Sequence, residues 1–182
     1  MKLYHGTTVG HIEVLHSNSK DGNHESVLYL TDNRPYSLFY IRDRDIDFVT
    51  CGVGEDGKVY YDEKFPNQLQ ILYDSLSGYI YETDTSAQKH RTRGIWLSSG
   101  SVKVTGAEYI PNVYQAILSE IEKGNVVLHP YDALTEEQKQ MNHQGILYHL
   151  RHGVLSPQKE LFYQKYFPEA WEEYQNKCRS LT

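Results

Sequence analysis

Short apolar stretches stopped by turn-forming residues run through this sequence, and two of them constrain the rest. Leu3-Tyr4-His5-Gly6-Thr7 and Leu28-Tyr29-Leu30-Thr31-Asp32-Asn33 each open on apolar or aromatic residues suited to a buried strand. Each then breaks into small polar residues of the kind that start a helix. Two strand ends of this form can converge on one cleft, and the rest of the chain is read for the residues that complete it.

Along the chain, residues 2–6 predict a first strand, and Thr7 or Thr8 predicts the cap of a short helix with Val9, Ile12 and Leu15 on one face. Residues 18–25 form a polar loop and 27–30 a second strand. Asn33 is an expected N-cap, with Pro35 in the first helical turn and Leu38 and Ile41 turned inward. A hairpin is expected over 48–53 and 59–61 around Gly54-Glu55-Asp56-Gly57. Pro66-Asn67 introduces a helix through Leu69, Leu72 and Tyr73, and 78–81 is extended. Residues 83–93 predict an exposed loop. Short strands are expected at 95–97, 101–104 and 107–110, then a helix from Pro111-Asn112 to Gly124, then a strand at 126–128. Beyond Pro130, Thr135-Glu136-Glu137-Gln138 has capping-box form and opens a helix towards Gly153, and a last helix starts near residue 169. The fold class expected is α+β in one domain, 1–182, with about 130–182 as its helical C-terminal cover.

At 182 residues the chain has room for a core without staples. A net charge of -6 gives no general attraction to nucleic acid or to an anionic membrane surface. No apolar run reaches the length of a signal or transmembrane segment, so a soluble, cytoplasmic protein without a membrane partner is expected. Cys51 and Cys178 lie far apart with no CxxC partner, which argues against a disulfide framework or structural zinc. His143, His149 and His152 are read as surface or helix-end groups, and no metal is expected. The sixteen tyrosines supply apolar area with a polar tip, which suits half-buried sheets and stacking on planar ligands.

Gly106-Ala107-Glu108-Tyr109-Ile110-Pro111-Asn112 sets an acid inside an otherwise apolar strand just before a helix. A carboxylate there is expected inward or at a strand end, where it costs desolvation energy unless something pairs with it, so Glu108 implies a positive partner. Taken together, Tyr4-His5-Gly6-Thr7, Tyr29-x-Thr31-Asp32-Asn33 with Tyr40 eleven residues after Tyr29, and Glu108-Tyr109-Ile110 resemble the diphtheria-toxin and poly(ADP-ribose) polymerase type of ADP-ribosyltransferase. The resemblance covers about 2–42 and 95–117. It implies a split, twisted β core with the nicotinamide pocket of NAD+ between its halves.

The residue types suit that co-substrate. Tyr29 and Tyr40 can sandwich the cationic pyridinium ring. The backbone of Gly6 can approach the carboxamide closely. His5 can bond a ribose hydroxyl, and Thr7 can do likewise. Glu108 can stabilise the ribosyl cation that forms as the nicotinamide bond breaks. The resemblance further implies that Glu108 holds the ribose 2′-hydroxyl and that Ser37 touches the carboxamide. Gly106 stands where the arginine-modifying branch has a second glutamate or glutamine, which disfavours arginine targets. The expected activity is mono-ADP-ribosyl transfer to a macromolecular acceptor, protein favoured over nucleic acid. The rivals are an NAD+ or ADP-ribose binding module with little catalysis and an enzyme resembling tRNA 2′-phosphotransferase.

Overall fold

The computed structural model describes residues 1–17, 19–20, 26–42, 50–84 and 89–179. Its strands, in chain order, are β1 (Lys2–Thr7), β2 (Val14–Leu15), β3 (Ser19–Lys20), β4 (Ser26–Leu30), β5 (Cys51–Val53), β6 (Val59–Asp62), β7 (Gly78–Asp84), β8 (Lys89–Thr92), β9 (Ile95–Ser98), β10 (Val102–Ile110) and β11 (Val126–His129). The helices are α1 (Arg34–Ser37), α2 (Gln68–Tyr73), α3 (Val113–Glu122), α4 (Glu136–His152), α5 (Pro157–Tyr166) and α6 (Pro168–Arg179). Single 3₁₀ turns cover Leu38–Tyr40 and Tyr131–Ala133.

Mixed α+β architecture results from this order. One antiparallel sheet runs β1-β7-β10-β2, a second runs β3-β4-β9-β8, and a third sets β6 between antiparallel β5 and parallel β11. The first two sheets touch through one bridge. The Tyr4 N–H donates to the Thr31 carbonyl at 2.7 Å, and the Thr31 N–H donates to the Tyr4 carbonyl at 2.9 Å. Beyond that bridge β1 and β4 part.

Side chains on the two faces of the first sheet feed two cores. Ile80 and Ile110 face α1, the 3₁₀ turn and α3, and pack with Leu38, Phe39, Ile41, Tyr61, Tyr73 and Ile117. Leu3 and Tyr81 face the other way and pack with Leu15, Leu28 and Leu30. The last three helices bury Ile146, Leu147, Leu150 and Tyr163 among themselves. Phe65, stacked on Tyr166 with ring centroids 4.5 Å apart, ties them to the remainder.

Local signals in the sequence set most element ends. Asn33 accepts from the Tyr36 N–H at 3.0 Å and caps α1. Thr135 and Gln138 form the reciprocal capping box of α4, and Gly124 ends α3 at a φ of 76°. Several expectations need correction. No helix forms after Thr7; its Oγ1 accepts from the Val9 N–H in a turn, and Leu15 lies on strand β2. Within 83–93, Lys89–Thr92 is a strand paired with β9, and 85–88 lie outside the described residues. The strands expected at 101–104 and 107–110 are one strand, β10, carrying a bulge between Val104 and Gly106. Helix α5 was not expected, although Ser156 caps it and Pro157 opens it. In place of the loop expected over 18–25, Ser19–Lys20 is strand β3 paired with β4; residues 18 and 21–25, and residues 48–49 of the hairpin, lie outside the described residues. Among the described residues no helix is long and apolar enough to cross a membrane.

Glycine at position 6 is a packing requirement. A Cβ there would overlap the Ser37 carbonyl oxygen, so α1 lies directly on β1. Gly6→Ala is therefore expected to cost about 1–3 kcal/mol or more, the usual range for overpacking. Gly145→Ala, in the exposed middle of α4 with nothing within 4 Å of the new methyl, should stabilise by about 0.5–1 kcal/mol. Urea denaturation of both variants checks the contrast.

Candidate functional site

Past the Tyr4–Thr31 bridge, the parting of β1 and β4 leaves a fork between the first two sheets. Tyr4 spends both backbone groups on Thr31, so it cannot also exchange bonds with its β7 neighbour Glu82. The antiparallel ladder alternates. Gly6, two residues on, therefore also turns its N–H and C=O away from β7, into the fork. His5 lies between them, and its Nδ1 is 2.9 Å from the Tyr29 carbonyl oxygen on β4. A carbonyl only accepts, so Nδ1 is the donor in that bond and Nε2 is the acceptor nitrogen of the neutral ring. One hydrogen bond thus fixes the ring across the gap and sets its tautomer.

The close contact with Gly6 positions both α1 and the 3₁₀ turn that continues it. Ser37 is fully buried, and its Oγ donates to the Arg34 carbonyl at 2.6 Å. Tyr40, on the 3₁₀ turn, is half-buried with its ring edge-on to Tyr36 at 5.2 Å. Burial pushes the Tyr36 phenol up to about 12 and raises that of Tyr40 further, so both stay neutral over the working pH range. Tyr29 is half-buried on β4, where it faces Leu97 of β9. Thr7 is buried with its hydroxyl in the local turn to Val9.

Glu108 lies in the same row as Gly6, with Ile80 between them. Directly opposed residues share a face, so Glu108 is on the α1 side of the sheet, about 10 Å from Gly6 along the row at two strand spacings. His5 belongs to the neighbouring row and the other face. Of the two placements expected, inward or at a strand end, Glu108 has the second: it lies two residues before the end of β10 and is 49% exposed, in a strand mostly open to solvent. The positive partner that this acid implied is Arg34. Its Nε donates to Oε2 at 3.0 Å, and its Nη2 donates to Oε1 at 2.6 Å and to Oε2 at 2.7 Å.

Arg34 is in turn backed by a second carboxylate. Its Nη1 is 3.6 Å from Oε1 of Glu120, an α3 residue with only 8% of its side chain exposed. Glu120 accepts from Asn125 Nδ2 at 2.7 Å and from Lys123 Nζ at 3.0 Å. A cavity of about 390 Å³ opens beside this chain of charges, bounded by Arg34, Glu108, Gln115, Ser119, Glu120 and Lys123. Arg34 and Tyr36 were missed in the sequence. The available signal for Arg34 was its place as the first residue after an Asn cap, three before Ser37.

Among the described residues no cluster of His, Cys, Asp or Glu could hold a metal ion. His143 pairs with Glu173 at 3.0 Å, and His149 and His152 sit exposed in the last turn of α4. Both cysteines are free thiols. Comparison with protein-family models, curated proteins and solved structures returned no match to this chain.

Burial alone would raise the Glu120 carboxyl, but the hydrogen bonds from Asn125 and Lys123 and the charges of Lys123 and Arg34 outweigh it and hold the group below its ordinary value. A carboxyl depressed on folding stabilises above its unfolded pKa, and that contribution is lost as pH falls through the folded value. Glu120→Gln should thus be less stable than wild type by about 1 kcal/mol at pH 7. The gap should close as the pH falls below the ordinary carboxyl value of 4.5. Urea melts across that range would contradict this if the gap stayed constant.

Proposed function

We propose that this chain is an NAD+-dependent mono-ADP-ribosyltransferase with an ADP-ribosyltransferase-like split β core. It would cleave the nicotinamide–ribose bond and transfer one ADP-ribose to a macromolecular acceptor, a protein in preference to a nucleic acid. The observation that carries the reading is the fork, where the N–H and C=O of Gly6 turn into the gap that the His5 ring spans. A carboxamide offers one acceptor and an NH₂ donor. The two backbone groups of a single extended residue match that pair.

His5 Nε2, as the acceptor nitrogen, suits a ribose hydroxyl. Tyr29 and Tyr40 would supply aromatic faces for the pyridinium, with Tyr36 behind Tyr40. Ser37 is fully buried with its hydroxyl on the Arg34 carbonyl, so it would reach a carboxamide NH₂ only if α1 shifted. Thr7 is the weakest member, since its hydroxyl already serves a turn.

Glu108 would act in the transition state. Departure of neutral nicotinamide leaves positive charge on the ribose, and a carboxylate about 5 Å away at an effective dielectric near 20 is worth on the order of 3 kcal/mol. As found, Arg34 cancels that charge. Glu108 would have to leave this half-exposed pair to reach the cation. The same pair favours one rival, NAD+ binding without cleavage, in which Glu108 stays neutralised.

NMR detection of free nicotinamide separates the two readings. Wild type should release it. Glu108→Ala should lose release while binding NAD+ within roughly tenfold of wild type, about 1.4 kcal/mol. NAD+ binding without release by the wild type would sink the enzyme, and full activity in the variant would remove Glu108 from the mechanism.

A further inference from the structure

We infer that Arg34 is a binding residue for the diphosphate of NAD+, giving up Glu108 for a phosphate as the co-substrate enters. This rests on the reading of the fork as a nicotinamide site. The seven residues assigned to that site (His5, Gly6, Thr7, Tyr29, Ser37, Tyr40 and Glu108) include no fixed cation, yet NAD+ brings two phosphates. The Arg34 guanidinium touches one of the seven directly, with three N–H···O contacts of 2.6–3.0 Å to Glu108.

A guanidinium fork that fits a carboxylate bidentately fits two phosphate oxygens equally well. The nicotinamide ribose carries on one ring both the 2′-hydroxyl that Glu108 would hold and the 5′-carbon that leads to the diphosphate. A cation in contact with Glu108 is therefore about one sugar ring from the phosphate, and the cavity of about 390 Å³ beside it gives the phosphate room.

Charge balance favours the exchange. In the resting arrangement Glu108 and Glu120 match Arg34 and Lys123. Once Glu108 turns to the ribose, Arg34 and Lys123 face the buried Glu120 alone, and the cavity is left with one net positive charge. Glu120 keeps the guanidinium from collapsing back or swinging into solvent, because it is itself fixed by Asn125 and Lys123. Both members of the resting pair thus regain a partner in the complex.

Isothermal titration with NAD+ and with nicotinamide riboside, which has the same ring and ribose but no phosphate, tests this. Arg34→Ala should weaken NAD+ binding 10- to 100-fold and leave riboside binding within twofold. Arg34→Lys, which keeps the charge and loses the fork, should fall between, and Glu108→Gln should bind NAD+ at least as tightly as wild type. Thermal melts report whether each variant folds; Arg34→Lys carries the comparison if the alanine variant does not. Equal weakening for both ligands would make Arg34 a structural support, and unchanged or tighter NAD+ binding would make it a block on Glu108. Either result overturns the inference. A wild type that binds the riboside as tightly as NAD+ also overturns it but leaves the nicotinamide reading standing, whereas a wild type that binds neither removes both.

Discussion

The contact between Gly6 and the Ser37 carbonyl decides where everything else in the site can be. Because nothing projects from position 6, α1 settles onto β1 at backbone distance. That seat carries Arg34 over the face of the sheet where Glu108 stands two strands away, and it carries Tyr40 to the flank of Tyr36. A larger residue at position 6 would lift the helix and separate Arg34 from Glu108. The same glycine turns its backbone into the fork, so one residue both holds the helix down and presents the edge that a carboxamide would need.

Electrostatics at the site is arranged as a relay. Asn125 and Lys123 fix Glu120, Glu120 backs Arg34, and Arg34 holds Glu108. Buried Glu120 is the fixed point, whereas the Arg34–Glu108 link is the half-exposed end of the chain. A chain of charges buried at one end and half-exposed at the other can exchange its last partner, which suits a carboxylate needed only as positive charge develops.

Much of the fold was legible because its signals are local. Asn33, Asn112 and Thr135 cap their helices with their own side chains, and Gly57 and Gly124 adopt the positive φ that their turns require. Two of the errors concern pairing at a distance. Lys89–Thr92 has no strand-like alternation of its own and is extended because β9 lies beside it. The Thr105-Gly106 step reads as a turn but is a bulge inside one long strand paired to β7. In the candidate site, the row linking Gly6 to Glu108 depends on strand register, and Arg34 was overlooked because its importance comes from a partner 74 residues away.

The most direct measurement is a crystal structure of Glu108→Gln with NAD+ at saturating concentration. The carboxamide should lie on the Gly6 backbone, with the pyridinium between Tyr29 and Tyr40 and the ribose at His5. Nicotinamide seated away from Gly6, or no NAD+ bound at all, would contradict the proposed site.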